Sequence, residues 1–389
     1  ASGGTAGILN VVLKKNRKAG YNGNIRAGID SRGKINAGGD INIKQGKFNF
    51  FLGLDFRQRK SLSEGHTYRE NIYSNKLQNT ILDQSSNSTN TGQFLFGRIG
   101  FDYLMDNRNS LTLSMSLPNG EFNSSQVDNI HIDTMSSPVK TQDAIRTTVN
   151  KRNFKNFGPA LGYKHLFPKQ GRELTADFNY NTSSNSGSGD YTTQYYNTNG
   201  SILGDPALQR LTSSGSSTYW TVQSDYTSPV GKGKFESGLR AAVRDNKNVN
   251  DNAAFDYDLN KFIIIPSASS NYKYTDEVYA AYSTYSNKLG ENFSYQLGLR
   301  AESSQYRGTL LSTGETFSNK YPIEFFPSVF VTQTLSPGQD MQLNYSRRIN
   351  RPNFWQQIPY YDVSDLLNIR VGNPALKPEF TNSYELNYS

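Results

Sequence analysis

Apolar and polar residues alternate at every second position along most of this chain, and this pattern constrains the fold more than any other feature. One face of residues 48–57 consists of Phe48, Phe50, Leu52, Leu54 and Phe56. Residues 111–117 and 293–302 repeat the pattern. Successive side chains of a β-strand point to opposite faces, so each segment predicts a strand with one apolar and one polar face. Helical periodicity is not evident at useful length.

The alternation predicts fourteen strands, at residues 21–30, 34–45, 47–60, 92–104, 110–128, 146–167, 173–186, 213–228, 234–246, 270–289, 292–306, 321–335, 341–350 and 381–389. After a short first link, tight turns rich in Gly, Pro, Asn and Asp alternate with long links. The long links are residues 61–91, 129–145, 187–212, 247–269, 307–320 and 351–380. Short turns at one end and long loops at the other are typical of a transmembrane, antiparallel, up-and-down β-barrel, and we predict this all-β fold.

The composition agrees with a barrel in a bilayer. Only 35% of the 389 residues are hydrophobic, but 13% are aromatic. A conventional core of this size would be hard to fill, whereas a barrel wall needs an apolar residue only at every second position. Tyrosines near predicted strand ends would lie at the level of the lipid headgroups. They are Tyr21, Tyr103, Tyr163, Tyr180 and Tyr226. A soluble sheet with half-buried aromatics is the alternative, but it would leave costly strand edges.

Charge and cysteine content exclude several classes of function. The net charge is +8, but the basic residues are spread along the chain and do not form the cluster that a nucleic-acid surface requires. The chain has no cysteine, which excludes disulfides, thiol catalysis and cysteine-based zinc sites. Charged residues on the polar strand faces predict a barrel interior that is hydrated or filled by polar protein. The arginines expected to face this interior are Arg57, Arg98, Arg240, Arg300 and Arg348.

Two stretches resemble a known family. Residues 2–15, which include Gly3, Gly4 and Gly7, resemble the end of the plug domain of a TonB-dependent outer-membrane receptor. Residues 345–355 and the run at 372–379 resemble a late strand and loop of the receptor-like barrels abundant in Bacteroidota. The residues that carry the second motif are Gly372, Asn373, Pro374, Lys377, Pro378 and Glu379. Read physically, this motif is a rigid turn that leads into a strand.

The resemblance implies a plugged barrel of 22 strands, with transport energised by TonB. On this interpretation, residues 1–18 are the end of the plug and its linker, and residues 19–389 are barrel, with about eight strands still to follow. A complete barrel of fourteen strands is the alternative. The implied partners are outer-membrane lipid and lipopolysaccharide, the TonB complex through a region outside this chain, and a surface lipoprotein or other envelope subunits. No cofactor is implied.

Aromatic side chains in two of the predicted loops are candidates for ligand binding. One loop carries Tyr191, Tyr195 and Tyr196, and the other carries Trp355, Tyr360 and Tyr361. They could form a platform for a sugar or another amphipathic ligand. The same residues could instead lie at the membrane interface or pack one loop against another.

Enzymatic and metal chemistry are weakly supported. His131 lies between Asp128 and Asp133 in a predicted loop and could act as a base, but a solvated histidine is the default interpretation. The Asn/Asp-rich run at 245–252 offers oxygen ligands for calcium but lacks the EF-hand pattern, so a hydrated loop is favoured. We therefore expect no metal site and no enzyme. The sequence favours a receptor that takes up a siderophore, oligosaccharide or peptide; the alternative is a structural barrel subunit of a larger envelope complex.

Overall fold

Nearly all of the described chain is β-strand. The computed structural model describes residues 19–73, 78–135, 140–352, 354–359, 361–362 and 369–389. The strands are β1 Gly20–Ile29, β2 Ile35–Gln45, β3 Phe48–Asn71, β4 Thr80–Leu104, β5 Asn109–Thr134, β6 Lys140–Leu166, β7 Glu173–Tyr196, β8 Ile202–Val230, β9 Gly233–Asp256, β10 Lys261–Ile264, β11 Ser270–Leu289, β12 Phe293–Leu310, β13 Thr316–Ser336, β14 Gln339–Asn350, β15 Tyr361–Asp362, β16 Arg370–Val371 and β17 Glu379–Tyr388. A 3₁₀ turn covers Pro266–Ala268, and helix α1 is a single turn at Phe354–Gln357. In the described ranges, no helix is long and apolar enough to cross a membrane.

One antiparallel sheet contains all the long strands. Its order is β1-β2-β3-β4-β5-β6-β7-β8-β9-β11-β12-β13-β14-β17, and the short β10 pairs with β9. Each long strand therefore pairs with the long strands before and after it in the chain, as an up-and-down meander requires. These fourteen strands confirm the number and the order expected from the alternation. The short β15 and β16 form a separate pair.

Tight turns lie at one end of the sheet, called here the turn end. Gly46 between β2 and β3 has φ +56°, and Gly338 between β13 and β14 has φ +81°. Glycine adopts these left-handed conformations without a steric penalty. In the β4–β5 turn, Asp106 accepts a hydrogen bond from the Asn109 side chain at 2.8 Å and from the amides of Arg108 and Asn109 at 2.7 Å each. These hydrogen bonds hold the pKa of Asp106 below its ordinary value, and the bond from the Asn109 side chain contributes most.

The opposite end of the sheet, called here the loop end, differs from the sequence prediction. Most of the residues assigned to long links continue the strands. For example, β3 and β4 stay paired as far as Asn71 and Thr80, inside the predicted link 61–91. Beyond the lipid, a strand needs no alternating apolar face, and the backbone ladder alone satisfies its polar groups. Polar Ser-, Thr- and Asn-rich segments can therefore extend the sheet. Among the described residues of the six long links, only those of 351–380 lie mostly outside the strands.

Burial on the two faces of the sheet is the reverse of that in a water-soluble protein, because the apolar face is the more exposed one. On β3, Leu52 and Leu54 are 41% and 51% exposed, whereas the alternate residues Gly53 and Asp55 are half-buried. The exposed apolar residues are in register across strands, as in the row Ile41, Leu52 and Ile99. A water-soluble sheet would bury this band. We call the face that carries it the outer face and the opposite face the inner face.

Candidate functional site

The inner face is continuous from β1 to β17. Strand pairing places residues that lie opposite one another on the same face, so the register identifies its members. Arg98 lies opposite Gly53 and Ser116, and Arg240 lies opposite Gln223 and Ala280. All five predicted interior arginines share this face: Arg57, Arg98, Arg240, Arg300 and Arg348. Their contact with a plug remains a prediction.

Several charged groups of the inner face neutralise one another. Arg26 on β1 pairs with Asp55 on β3 and lies 3.4 Å from Asp40 on β2. Further along the sheet, Asp102 accepts hydrogen bonds from Asn49 at 2.9 Å and from Thr112 at 2.7 Å. Such charged groups require water or polar protein next to them, because a dry apolar interior would leave them poorly solvated.

A buried carboxylate on β12 joins two arginines. The side chain of Glu302 is only 1% exposed and pairs with Arg300 at 2.6 Å and with Arg351. Arg351 also donates a hydrogen bond from Nε to Ser304 at 3.3 Å. Because Arg351 directly follows β14, its contacts with Glu302 and Ser304 attach the start of the β14–β17 connection to strand β12. The alternation placed Arg300 on the inner face, but it could not reveal Arg351 as a member of the same cluster.

Described residues of the β14–β17 connection pack against the inner side of β11–β13. Ile358 is 1% exposed and forms an apolar cluster with Tyr272 and Leu310. The side chain of Asn319 on β13 donates a hydrogen bond to the carbonyl oxygen of Pro374 at 3.2 Å. The connection is therefore held at several points along its length.

The Gly-Asn-Pro motif forms a turn within this connection. The amide of Gly372 donates to the carbonyl oxygen of Ile358 at 3.0 Å, and Asn373 accepts a bond from the amide of Ala375 at 2.9 Å. After Pro374, Lys377 and Pro378 lead into β17, which begins at Glu379. This geometry agrees with the turn expected from the sequence. Gly3, Gly4, Gly7 and Tyr360 lie outside the described residues, as do the side chains of Trp355 and Tyr361.

The inner face of β3–β8 carries a cavity of about 590 Å³, called here the interior cleft. Among the residues that line it are Arg59, Asn90, Phe122, Asn150, Arg152 and Tyr191. Strand register aligns one row across six strands: Arg59, Gly92, Phe122, Arg152, Gly187 and Ser213. No carboxylate occurs among the described residues that line the cleft.

Three phenylalanine rings form an aromatic floor at the edge of the interior cleft. The ring centroids of Phe122 and Phe154 are 6.0 Å apart with planes at 6°, and those of Phe94 and Phe154 are 6.1 Å apart. A Cβ atom on Gly92 would lie 2.4 Å from the Phe122 ring, and one on Gly120 would lie 2.7 Å from the Phe154 ring. The rings therefore lie against glycine backbone, and Phe122 remains 40% exposed on a polar wall.

The predicted tyrosine platform is only partly assembled. Tyr191, Tyr195 and Tyr196 belong to strand β7, so their assignment to a loop is wrong. Tyr191 lines the interior cleft, and the guanidinium of Arg146 lies 4.9 Å from its ring centroid. Tyr195 and Tyr196 are adjacent strand residues and therefore point to opposite faces. Whether any of these residues contacts a ligand remains a prediction.

His131 also lies on a strand, not in the expected loop. It sits on the outer face of β5, in the extension at the loop end, with Nδ1 2.6 Å from Asp143 and Nε2 3.4 Å from Asp133. The hydrogen bond with Asp143 raises the pKa of His131, and the charge of Asp133 adds to this effect. The Asn/Asp-rich run at 245–252 lies on β9, so it is not the hydrated loop that was expected. Within the described ranges, no group of three or more His, Asp or Glu side chains could hold a metal ion.

A sheet with an apolar outer face and a charged inner face defines a transmembrane β-barrel. The chain belongs to the outer membrane protein beta-barrel family, whose model matches residues 165–389. It is thus an integral protein of the outer membrane, and its outer face lies among lipid and lipopolysaccharide. No curated protein matches the chain.

Solved structures show weak likeness. The toluene transporter TodX of Pseudomonas putida is 11% identical, with a TM-score of 0.32 over 85% of this chain and 83% of that one. The ferric yersiniabactin uptake receptor FyuA of Yersinia pestis is 8% identical, with a TM-score of 0.25 over 96% and 73%. The outer membrane protease OmpT of Escherichia coli is 11% identical, with a TM-score of 0.21 over 72% and 93%. Likeness at this level carries no argument about function.

Proposed function

We propose that this protein takes up a nutrient across the outer membrane by the gated, energised route of a TonB-dependent receptor. The observation that carries the proposal is the charged inner face, where groups such as Asp102 and the Arg26–Asp55 pair require a hydrated path or a polar plug. The nutrient would be a siderophore, an oligosaccharide or a peptide. TonB would act through a plug, and a surface lipoprotein or another envelope subunit could deliver the nutrient.

The division into a plug end at residues 1–18 and a barrel at 19–389 is part of this proposal, as is a larger barrel of 22 strands. The edge strands show that the wall must close in one of two ways. In the described chain, β1 pairs only with β2, and β17 pairs only with β14. Both edge strands nevertheless carry apolar residues on the outer face that would lie in lipid, since Ile25 on β1 is 94% exposed and Leu386 on β17 is 70% exposed. Unpaired backbone groups are too costly in lipid to remain there, so these edges require further strands or each other.

Nutrient uptake by a deletion strain tests the proposed function. The wild-type strain, the deletion strain and a complemented strain would be compared for uptake of a panel of siderophores, oligosaccharides and peptides. We expect the deletion to abolish uptake of one class, complementation to restore it, and an uncoupler of the proton gradient to stop it. Unchanged uptake of every nutrient, together with loss of an envelope complex, would favour the structural-subunit alternative. That the protein is not an enzyme also remains a prediction.

A further inference from the structure

We propose that the interior cleft binds an acidic oligosaccharide, an inference that rests on the uptake function proposed above. The aromatic floor offers apolar surface for a ligand. Phe122 and Phe154 lie nearly parallel, 6.0 Å apart, and Phe122 is 40% exposed. Large apolar rings on a polar wall are unfavourable unless something covers them. A sugar ring has flat patches of C–H groups that fit such ring faces.

The interior cleft also carries unneutralised positive charge. Arg26 elsewhere on the inner face is neutralised by Asp55. By contrast, Arg59 and Arg152 are exposed and have no hydrogen-bond or ion-pair partner in the described part of the chain. Both lie in the same cross-strand row as Phe122. Guanidinium groups bind carboxylate and sulfate groups in a bidentate manner, so the cleft is suited to an anion.

The neutral polar groups distinguish a sugar from another flat anion. Next to the row of Phe122 lies a second row of inner-face residues, in the order Ser61, Asn90, Ser124 and Asn150. Hydroxyl and amide groups both donate and accept hydrogen bonds, as the many hydroxyl groups of an oligosaccharide require. A compact aromatic acid would leave most of these groups without a partner. The combination of rings, cations and hydroxyl or amide groups therefore favours an acidic oligosaccharide.

Calorimetric titration of the full-length protein in detergent tests this assignment. The probes are tetragalacturonate, the neutral maltotetraose and the aromatic anion 2,3-dihydroxybenzoate. The double variant Arg59→Gln/Arg152→Gln removes the cations, and Phe122→Ala removes the central ring. Lys155→Gln is the matched control, because Lys155 is an exposed cation of β6 on the outer face.

We expect tetragalacturonate to bind at least about tenfold more tightly than the other two probes. The double arginine variant should raise its Kd about 100-fold, which corresponds to the loss of two charge-assisted hydrogen bonds. Phe122→Ala should raise the Kd about tenfold for both sugars, and Lys155→Gln should change neither value. Sodium chloride should weaken tetragalacturonate binding and leave maltotetraose unaffected.

Three results would overturn the assignment: no binding of tetragalacturonate, an affinity insensitive to the arginine variant, or tighter binding of dihydroxybenzoate. Because the titration measures binding without transport, it separates this inference from the proposed function. Import of another nutrient by a protein that does not bind tetragalacturonate would overturn only the cleft assignment. Binding without any import in cells would overturn only the uptake function.

Discussion

Removing the buried carboxylate of Glu302 should strongly destabilise the barrel wall. Glu302 pairs with Arg300 and Arg351, whose side chains are 19% and 24% exposed. With about 4 Å between charge centres and an effective dielectric constant of about 20, each attraction amounts to about 4 kcal/mol. Desolvation of the three ions offsets much of this sum, so the intact cluster contributes little net stability. Glu302→Ala, however, leaves two poorly solvated cations without a partner, and we expect a loss of about 3–5 kcal/mol.

Urea unfolding of the protein in lipid vesicles, followed by circular dichroism, measures this loss. Asp190→Ala is the control, because Asp190 pairs with Arg210 on the outer face and both side chains are about half exposed. An exposed pair of this kind contributes about 0–1 kcal/mol. Trypsin should also cleave after Arg370 faster in Glu302→Ala, since the β14–β17 connection loses its attachment. Equal losses in Glu302→Ala and Asp190→Ala would refute the reasoning.

A second variant separates unpaired charge from lost packing. Arg300→Met, Glu302→Leu and Arg351→Met together remove all three charges and keep similar side-chain volumes. Replacing a buried ion cluster by apolar residues is often neutral or stabilising, so this triple variant should be more stable than Glu302→Ala alone. If the triple variant were as unstable as Glu302→Ala, the cost would arise from packing and not from uncompensated charge.

Three further predictions test the faces, the turns and the loop-end extension. Leu297→Arg on the outer face should cost about 2–4 kcal/mol in vesicle unfolding, and Gln296→Arg on the inner face much less; equal costs would contradict the assignment of faces. Gly338→Ala at φ +81° should cost about 1–2 kcal/mol in the same assay, and no loss would contradict the left-handed turn. Asp143 raises the folded-state pKa of His131 above 6.5. The interaction between the two side chains therefore stabilises the folded state fully below pH 6.5, and this stabilisation fades as the pH rises through the raised pKa. Hydrogen-exchange protection at the loop ends of β5 and β6, corrected for intrinsic exchange rates, should therefore fall with rising pH. His131→Gln should remove this pH dependence, and an unchanged dependence in the variant would contradict the role of His131.

The strands nearest the turn end could be predicted because lipid imposes a strict pattern there. Leu297 and Leu299 must face lipid, and Gln296 and Arg300 must not, so the alternation marks both the strand and its faces. Tight turns add a second signal, since Gly46 and similar residues mark the reversals of the chain.

The loop-end extensions could not be predicted because no such pattern applies outside the lipid. At the far end of β3, residues 61–71 are mostly polar on both faces, and their composition resembles that of a loop. Pairing with β4 along the whole length of this segment decides its structure. The same error placed Tyr191 and His131 in loops, because a polar segment beside a strand resembles a link until its partner is known.

The aromatic floor shows why the alternation could not reveal the interior cleft. It assigns Phe122 and Gly92 to the inner face of their strands, but only the register between β4 and β5 places them side by side. A shift of one residue in this register would place a different side chain beside the ring. The ring needs glycine at this position, because a Cβ atom there would lie 2.4 Å from it. The Phe122 ring therefore lies against the backbone of Gly92, and Phe122 remains 40% exposed. This arrangement keeps apolar surface exposed between Arg59 and Arg152, which is costly in water and becomes favourable when a ligand with a flat apolar face and an anionic group binds there.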